Sequence, residues 1–389
     1  MRILHIVTLA SNVGAFGGPT TVALNECLAL RARGHETLLV GGAHGFPTST
    51  TMIRDTPVRL FRTHQIRRSK AMAYLWSPTM LRWLRRHMRD FDVVHIHLAR
   101  DGITLPVAAM ANYRRQPYVV QTHGMVEPRN SSLHKFVDAV ATRRVLRGAG
   151  AVFSLSYKEN DLLSAVAQSD RRIDLLPNAI PAVCARMTSP ATPRSSEFLF
   201  LARLHPRKRA LNFVDAAMRM LTSGSPASFT IIGPDEGDAP AVESRISEFA
   251  QSNPQHADAL RWLGPVAPHE ASVRMQNAYA YVLPSVDEPF PMSVIEALAA
   301  GLPVVISESN GLADVVKQYD CGIVIPDDSV DALVDAMQQL LAFPDQVARM
   351  GRQATVAVRD EFSMETVAER LVQRYREIAR QPQKEDHSQ

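Results

Sequence analysis

The 389-residue sequence contains little cysteine and no long apolar segment. Its three cysteines, Cys27, Cys184 and Cys321, lie far apart and form no CxxC pair, which argues against a disulfide framework or a zinc site. No run approaches the roughly 18 apolar residues that suggest a membrane-spanning helix. The start, MRILHIVTLA, is interrupted by His5 and lacks a clean cleavage site, so it resembles a buried strand more than a signal peptide. We therefore expect a cytoplasmic protein.

The net charge of +4 conceals an uneven distribution of charge along the chain. Residues 1–190 contain 25 Lys and Arg against 12 Asp and Glu, whereas residues 191–389 contain 18 against 27. Such an asymmetry indicates that the N-terminal half meets an anionic partner. From charge alone, nucleic acid, an anionic membrane surface and a phosphorylated substrate all remain open.

Short apolar runs alternate with helix-length segments along almost the whole chain. This pattern predicts repeated βαβ units around parallel sheets that are covered on both faces. A stretch rich in Pro, Ser, Thr and Ala at 181–197 looks like a linker, and the polar tail 381–389 is expected to be frayed. We therefore predict an α/β protein with two doubly wound domains, at about 1–185 and 190–362. Ligands of such domains bind beyond the carboxyl ends of the strands.

The segment 284–311 contains the most informative motif. A strand is predicted to end at Pro284, Glu288 lies in the following loop, and a helix is predicted to open near Ser293 with Glu296 in its first turn. The free backbone N–H groups and the dipole of such a helix start favour a phosphate. A carboxylate there is better suited to the neutral hydroxyls of a ribose, and Glu288 to those of a second sugar. Alternatively, Ser293 and Glu296 form a simple capping box and Glu288 is a solvated turn residue.

This segment resembles the E-x7-E signature of family 4 of the retaining glycosyltransferases. Five further motifs match that family in sequence order and extend the resemblance along nearly the whole chain: AFGGPTTVALNECLALRARGHE at 15–36, YVVQTHGMVEP at 118–128, LLPNAI at 175–180, FLARLHPRKRAL at 200–211 and SFTIIGPDEG at 228–237. The resemblance implies a GT-B fold, in which two Rossmann-like domains face a cleft. It also implies that the last helix, at about 363–380, packs on the first domain.

The resemblance implies metal-independent retaining transfer of a sugar from a nucleotide diphosphate. Arg203 and Lys208 would stabilise the charge that grows on the departing diphosphate, one as a planar fork and one as a point charge. The start of the helix at Met292, Ser293 and Val294 would add N–H donors. From the residues alone, the cluster around Lys208 also fits an ordinary solvated basic surface.

The same resemblance assigns the sugar contacts. Glu288 would hold hydroxyls of the transferred sugar, and Glu296 would hold the ribose. His123, directly after a strand of the first domain, would touch the sugar from across the cleft. Gly17 and Gly18 would approach the donor or acceptor closely, where a Cβ would intrude. Taken singly, the histidine also fits a structural role and the glycines fit a turn.

Three positions depart from the family pattern. Pro291 stands where the family often has Gly and removes one backbone N–H near the donor. Ala179 replaces the Gly of the N-G pair, and Ala202 replaces that of G-R-L. These changes affect the expected donor contacts rather than the class of reaction.

The implied partners are a nucleotide-sugar donor and a glycan or lipid-linked sugar acceptor, without a cofactor and without nucleic acid. The setting would be synthesis of exopolysaccharide, capsule or lipopolysaccharide at the inner face of the cytoplasmic membrane. The segment 78–90 has Leu81, Leu84 and Met88 at helical spacing among arginines, a make-up typical of helices on anionic membranes. The alternative is a surface helix that packs its apolar stripe on the sheet.

Other functions are carried as alternatives. His95 and His97 lie on one face of a strand, as in metal-dependent hydrolases of the amidohydrolase type. Asp90 and Asp92 match D-x-D but precede a strand directly, which favours a turn. A non-catalytic sugar-nucleotide binder and an epimerase on the same fold also remain. No G-x-G-x-x-G follows the first strand, which argues against dinucleotide redox chemistry.

Overall fold

The computed structural model describes residues 1–11, 18–65, 74–169, 172–180 and 196–380. These residues divide into two compact units. The first unit contains Met1–Ala179 together with Met364–Gln389, and the second contains Ile180–Ser363. The linker predicted at 181–197 lies outside the described residues except for its last two positions, and so does the whole tail 381–389.

The first unit is built on an eight-stranded sheet in the order β10-β9-β8-β7-β1-β2-β4-β3. All neighbours in it are parallel except β3 and β4. Its strands are β1 (Arg2–Ser11), β2 (Glu36–His44), β3 (Met52–Ile53), β4 (Thr56–Phe61), β7 (Val93–His97), β8 (Tyr118–Gln121), β9 (Ala151–Ser154) and β10 (Asp174–Leu175). A separate two-stranded ribbon pairs β5 (His64–Gln65) with β6 (Leu75–Trp76).

Helices cover both faces of this sheet. The helices that precede residue 180 are α1 (Gly18–Ala32), α2 (Pro78–His87), α3 (Thr104–Tyr113), α4 (Ser132–Val137), α5 (Arg143–Gly148) and α6 (Tyr157–Ala167). One π-helical turn, Asp138–Thr142, joins α4 to α5. Because strands such as Val93–His97 are buried on both faces, they consist of near-continuous apolar residues, as the sequence predicts.

The second unit contains six parallel strands in the order β13-β12-β11-β14-β15-β16. The strands are β11 (Glu197–Leu201), β12 (Ser228–Ile232), β13 (Leu260–Trp262), β14 (Ala280–Leu283), β15 (Val304–Ser307) and β16 (Gly322–Ile325). The helices are α7 (Ala210–Thr222), α8 (Ala239–Ser252), α9 (Pro268–Asn277), α10 (Met292–Ala299), α11 (Ala313–Tyr319), α12 (Val330–Ala342) and α13 (Pro344–Ala357). The strand order reverses between β11 and β14, which is where such sheets bind ligands.

The last helix, α14 (Met364–Arg380), belongs to the first unit. Its apolar side chains Val367, Leu371 and Tyr375 are buried in one cluster with Ile3 of β1 and Leu30 of α1. The chain therefore returns to the first unit after completing the second.

The basic helix α2 packs its apolar stripe inward. Met80, Leu84 and Met88 are fully buried in the core of the first unit, and Leu81 is half-buried against that core. The structure therefore supports the alternative of a surface helix on the sheet and leaves α2 without an apolar face for a membrane. Among the described residues, no helix combines the length and apolar character that crossing a bilayer requires.

Candidate active site

Two loops meet at the point where the strand order of the second sheet reverses. Lys208 ends a short 3-10 turn, Pro206–Lys208, that follows β11, and Glu288 lies in the loop after β14. The Lys208 Nζ lies 2.7 Å from Glu288 Oε2, and the two side chains are only 12% and 17% exposed. The parallel sheet thus brings together two predicted site residues that are 80 positions apart in sequence.

Backbone contacts hold the Glu288 loop in place. The Val286 N–H donates to the Arg207 carbonyl at 2.9 Å, and the Gly311 N–H donates to the Glu288 carbonyl at 2.8 Å. A Cβ on Gly311 would lie 1.8 Å from the Pro289 carbonyl oxygen, so only glycine permits this approach. The carboxylate is therefore positioned by three loops rather than by its own loop alone.

Arg203 pairs with a different carboxylate from the one that Lys208 contacts. Its guanidinium donates to both oxygens of Glu236, at 2.6 and 2.7 Å, and its side chain is 60% exposed. The loops after β11 and β12 pack tightly here, since a Cβ on Gly233 would lie 1.8 Å from the Ala202 carbonyl oxygen. An exposed ion pair contributes at most about 1 kcal/mol, so a phosphate could displace Glu236.

The helix at the site begins one residue earlier than the sequence predicts. Met292 is its first residue and Pro291 precedes it without a side-chain cap, so Ser293 is not the N-cap and no capping box forms. Glu296 is the fifth helical residue and lies beyond the first turn. Both the predicted first-turn position of Glu296 and the capping-box alternative are therefore wrong, because the proline after Phe290 sets where the helix starts.

The donors at the start of this helix are partly engaged already. The Val294 N–H donates to the Pro291 carbonyl at 3.1 Å. The Ser293 hydroxyl lies 2.7 Å from the Tyr281 hydroxyl, which in turn donates to the Leu201 carbonyl at 2.9 Å. This buried tyrosine ties the helix to the ends of β11 and β14. Sequence reasoning missed it, although a tyrosine in an otherwise apolar strand is a signal of such a link.

Glu296 is exposed as a residue, but its carboxyl group is partly desolvated by the surrounding protein. Solvent reaches its side chain, yet the surrounding protein raises the pKa of its carboxyl by desolvation. A carboxylate that is poorly hydrated is a good acceptor for hydroxyl groups, since water competes less for its oxygens. The residue is thus suited to the neutral diol that the sequence predicts for it.

A cluster of four histidines and one glutamate lies at the centre of the first unit. The parallel register of β1 and β7 places His5 opposite His95. His97 contacts two further rings: its Nε2 lies 3.2 Å from His5 Nδ1 and its Nδ1 lies 2.8 Å from His123 Nε2. The Glu26 carboxyl lies 3.6 to 3.8 Å from ring nitrogens of His5, His95 and His97. We call these five residues the histidine cluster.

Burial keeps the histidine cluster uncharged. Desolvation lowers the pKa of His5 and His123 to about 3, and lowers the pKa of His95 and His97 well below its usual value. The same cause raises the pKa of Glu26 to about 8. A neutral imidazole has one N–H donor and one acceptor, so the protonated nitrogen of His97 decides which nitrogen of His123 is protonated.

His123 lies directly after β8, at the carboxyl edge of the sheet, as the sequence predicts. Its backbone is in the left-handed region with φ of 51°, a conformation that is uncommon for residues other than glycine. The buried Glu159 fixes this loop by accepting hydrogen bonds from Thr122 Oγ1 at 2.5 Å and Gly124 N–H at 2.6 Å. Of the predicted glycine pair, Gly18 is the first residue of α1 and Gly17 lies outside the described residues.

His5, Glu26, His95 and His97 bring potential ligand atoms within 4.8 Å of one another, but the orientation of the rings is unlike that of a hydrolytic metal centre. The rings of His95 and His97 stack nearly parallel, with an interplanar angle of 10° and centroids 4.6 Å apart. Because the lone pair of a ring nitrogen lies in the ring plane, parallel stacked rings do not aim at one ion. His95 Nδ1 also lies 2.6 Å from the Tyr375 hydroxyl, and the burial of His5, His95 and Glu26 restricts access of the water that a catalytic metal would activate.

The D-x-D sequence also has a structural explanation. Asp90 and Asp92 lie between α2 and β7, and the Asp92 carboxylate accepts a hydrogen bond from the Arg2 N–H at 2.7 Å. His5, Glu26 and Glu159 were the residues of the first unit that sequence reasoning overlooked. The available signal was a single polar residue inside an apolar strand or on the buried side of a helix.

The fold and the site define a class of protein. Each unit is a doubly wound, Rossmann-like α/β unit, and the second carries a lysine, a glutamate and a helix start at its switch point. The family model "Glycosyl transferases group 1" matches residues 188–356, and the model "Glycosyl transferase 4-like domain" matches residues 17–179. The chain therefore belongs to the glycosyltransferases that combine these two domains.

Relatives in sequence carry related names. The chain is 24% identical over 305 residues to a D-inositol 3-phosphate glycosyltransferase of Gordonia bronchialis. This alignment covers 73% of this chain and 66% of the relative, just under two thirds of its length. It is 29% identical over 305 residues to a glycogen synthase of Mycobacterium tuberculosis, which covers 75% of this chain and 71% of the relative.

A solved structure shares the fold. The Anabaena protein Alr3699/HepE, determined in complex with UDP, superposes with a TM-score of 0.74 at 18% identity and covers 96% of this chain and 99% of its own. These comparisons confirm the predicted GT-B class with two Rossmann-like domains and the predicted relationship to glycosyltransferases.

Proposed function

We propose that this protein is a metal-independent retaining hexosyltransferase that moves a sugar from a nucleotide-diphosphate sugar to a lipid-linked glycan acceptor in the synthesis of a cell-surface polysaccharide. The observation that carries the proposal is the contact of Lys208 with Glu288 beside the start of α10, at the switch point of the second sheet. A half-buried cation paired with a carboxylate is a site that an incoming diphosphate can reorganise.

The charge at this site fits a departing pyrophosphate. In the proposed complex Lys208 turns from Glu288 to the diphosphate, and Arg203 exchanges Glu236 for the same group. Met292, Ser293 and Val294 present the positive end of α10 to the phosphates. These fixed cations and dipoles would supply the stabilisation that a divalent ion supplies in other enzymes. Structures of the Anabaena protein Alr3699/HepE with UDP and with UDP-glucose support a donor of this class.

The sugar contacts follow from the same assignment. Released from Lys208, Glu288 would accept hydrogen bonds from hydroxyls of the transferred sugar, and Glu296 would accept them from the ribose. His123 would contact the sugar as a neutral imidazole, because burial keeps its pKa near 3. Gly17 and Gly18 would allow the donor or acceptor to approach the backbone. Exclusion of water from the bound donor would limit its hydrolysis.

The proposal for the acceptor rests on the charge of the N-terminal half of the chain. The excess of cations in residues 1–190 favours an anionic acceptor or the membrane that carries it, at the inner face of the cytoplasmic membrane. Two relatives are named a D-inositol 3-phosphate glycosyltransferase and a glycogen synthase, so an assay with soluble and lipid-linked acceptors side by side decides this part of the proposal.

The test of the donor is a thermal-shift panel with UDP, GDP, ADP and their glucose conjugates. A ligand that binds only the folded state raises the melting temperature. We expect one nucleotide to raise it for the wild type and for Lys317→Met, an exposed lysine of the same unit, but not for Lys208→Met. A shift of equal size in Lys208→Met, or no shift with any nucleotide, would refute the site.

A second measurement separates transfer from simple binding. With donor and acceptor together, a transferase releases the nucleotide diphosphate and forms a glycosidic bond with retained anomeric configuration. A sugar-nucleotide binder would show the thermal shift without release, and an epimerase would change the donor sugar without an acceptor.

A further inference from the structure

One helical segment of the first unit carries its apolar side chains on the outside. Leu133, Phe136 and Val140 are 58%, 65% and 51% exposed, although they lie in the helical stretch formed by α4 and the π-helical turn. Their spacing of three and four residues places them along one side of that stretch. We call these three residues the apolar stripe. A surface helix ordinarily turns such a stripe toward the core.

The opposite side of the segment is firmly attached to the unit. Arg100 donates to both oxygens of Asp138, at 2.8 and 2.9 Å, and both side chains are nearly buried. Thr142, Val145 and Leu146 are buried in the following turns. The helix is thus held by its other face, so the outward direction of the apolar stripe is a fixed property of the fold.

Cations surround the apolar stripe. Lys135 is exposed in the segment and Arg144 shortly after it, and Arg129, which lies 3.6 Å from the exposed Glu127, precedes it. The only carboxylate between residues 128 and 148 is Asp138, which Arg100 already pairs. Apolar side chains flanked by exposed cations are the arrangement with which helices lie in the interface of a bilayer that contains anionic lipid. Three apolar side chains along one short segment are few for a stable protein interface, which ordinarily involves about 20 to 30 residues a side.

The position of the segment relates it to the site of the same unit. It follows β8 and the loop with His123, and Arg100 follows β7, so the segment begins at the carboxyl edge of the first sheet. From these observations we infer that the apolar stripe and the cations beside it form a docking surface for a membrane that contains anionic lipid. This surface, rather than α2, then holds the first unit at the bilayer.

The test is co-sedimentation of the full chain with vesicles of equimolar phosphatidylcholine and phosphatidylglycerol. The variant Leu133→Ser/Phe136→Ser should lower the partition coefficient by about tenfold or more, since each side chain loses its transfer out of water. Phe343→Ser is the matched control: this phenylalanine of the second unit is 58% exposed and lies outside the stripe, so partitioning should stay at the wild-type value. Lys135→Glu should weaken binding and flatten its dependence on salt.

Three outcomes would overturn the inference. They are equal partitioning of the double variant and the wild type, no binding of the wild type, and equal binding to vesicles of phosphatidylcholine alone. A wild-type dimer that becomes monomeric in the double variant would assign the stripe to a second copy instead. Vesicle binding is measured without donor. A negative result for vesicle binding therefore does not contradict the proposed nucleotide site, and a negative thermal-shift panel does not contradict membrane docking.

Discussion

The two units handle ionisable side chains in opposite ways on nearly the same sheet architecture. In the first unit, His5, His97 and Glu26 lie inside the fold and are kept neutral by burial. In the second, Lys208 and Glu288 lie at the edge of the sheet as an ion pair that solvent partly reaches. The order of strands in a parallel sheet therefore determines which loops meet. The burial of the polar side chains determines whether they are neutral hydrogen-bonding groups or charged groups.

This difference fits a division of labour between sugar and diphosphate. A neutral imidazole such as His123 can donate or accept a hydrogen bond with a sugar hydroxyl at little electrostatic cost. A pyrophosphate needs cations that are already positioned, and an ion pair with a displaceable carboxylate keeps such a cation ordered before the ligand arrives.

The largest expected effect is selective unfolding of the first unit in acid. Below pH 6.5 an unfolded histidine binds a proton, whereas folded His5 and His123 do so only near pH 3. Each such residue lowers the free energy of unfolding by about 1.4 kcal/mol for each unit by which the pH falls. Because protonated Glu26 contributes about the same amount with the opposite sign, the four histidines and Glu26 together give a net slope of about 4 kcal/mol per pH unit. Urea unfolding at pH 5 to 6 followed by fluorescence of Trp262→Phe, which leaves only Trp76 and Trp83 of the first unit, should show this slope.

The variant Glu26→Gln isolates the group of the cluster whose contribution to stability has the opposite pH dependence. The folded protein keeps the Glu26 proton up to about pH 8, while the unfolded chain loses it near pH 4.5. The stability from this group is thus fully present below pH 4.5 and is lost as the pH rises through 8. The wild type should lose about 1.4 kcal/mol per pH unit between pH 6.5 and 8, and the variant should not. Identical alkaline limbs would contradict a protonated Glu26.

The second prediction concerns the charged site. Lys208→Met and Glu288→Gln should each lower sugar transfer by about 100-fold or more, because each removes a group positioned for the reacting end of the donor. Both variants should keep the melting temperature within a few degrees, since the pair is at the edge of the sheet. Asp215→Asn, which removes the partner of Arg245 elsewhere in the second unit, is the control and should leave turnover unchanged. Wild-type turnover in either site variant would end the assignment of this pair.

The sequence predicts one part of this contrast better than the other. The alternation of apolar runs predicts both sheets, and the E-x7-E segment singles out Glu288 and Glu296 because they lie in one continuous stretch. The order of strands that brings Lys208 to Glu288 is a property of packing, and the sequence supports it only through the family resemblance. The start of α10 at Met292 depends on Pro291. The sequence did not predict this start, because Ser293 and Glu296 have the spacing of a capping box.

The histidine cluster is where prediction from sequence fell short. The alternation of His95 and His97 on one face of a strand is visible in the sequence, and it suggested a metal site. The partners of these two rings come from three distant places: His5 through the register of β1 and β7, Glu26 from α1, and His123 from the loop after β8. No local pattern specifies such a meeting, because register and helix rotation arise from the core as a whole.

Glu296 offers the smallest effect and tests the limit of the comparison. It belongs to the charged second unit, yet burial raises its pKa as it raises that of Glu26 in the first. Glu296→Gln should raise KM for the donor by about tenfold and leave kcat nearly unchanged, since a ribose contact acts equally on ground and transition states. KM of the wild type should also rise as the pH falls toward the raised pKa, while the Gln variant should show no such dependence. A fall in kcat instead would place Glu296 among the groups that act on the reacting sugar. Desolvation of a carboxyl group, which raises the pKa of both Glu26 and Glu296, would then be a property that the two units share.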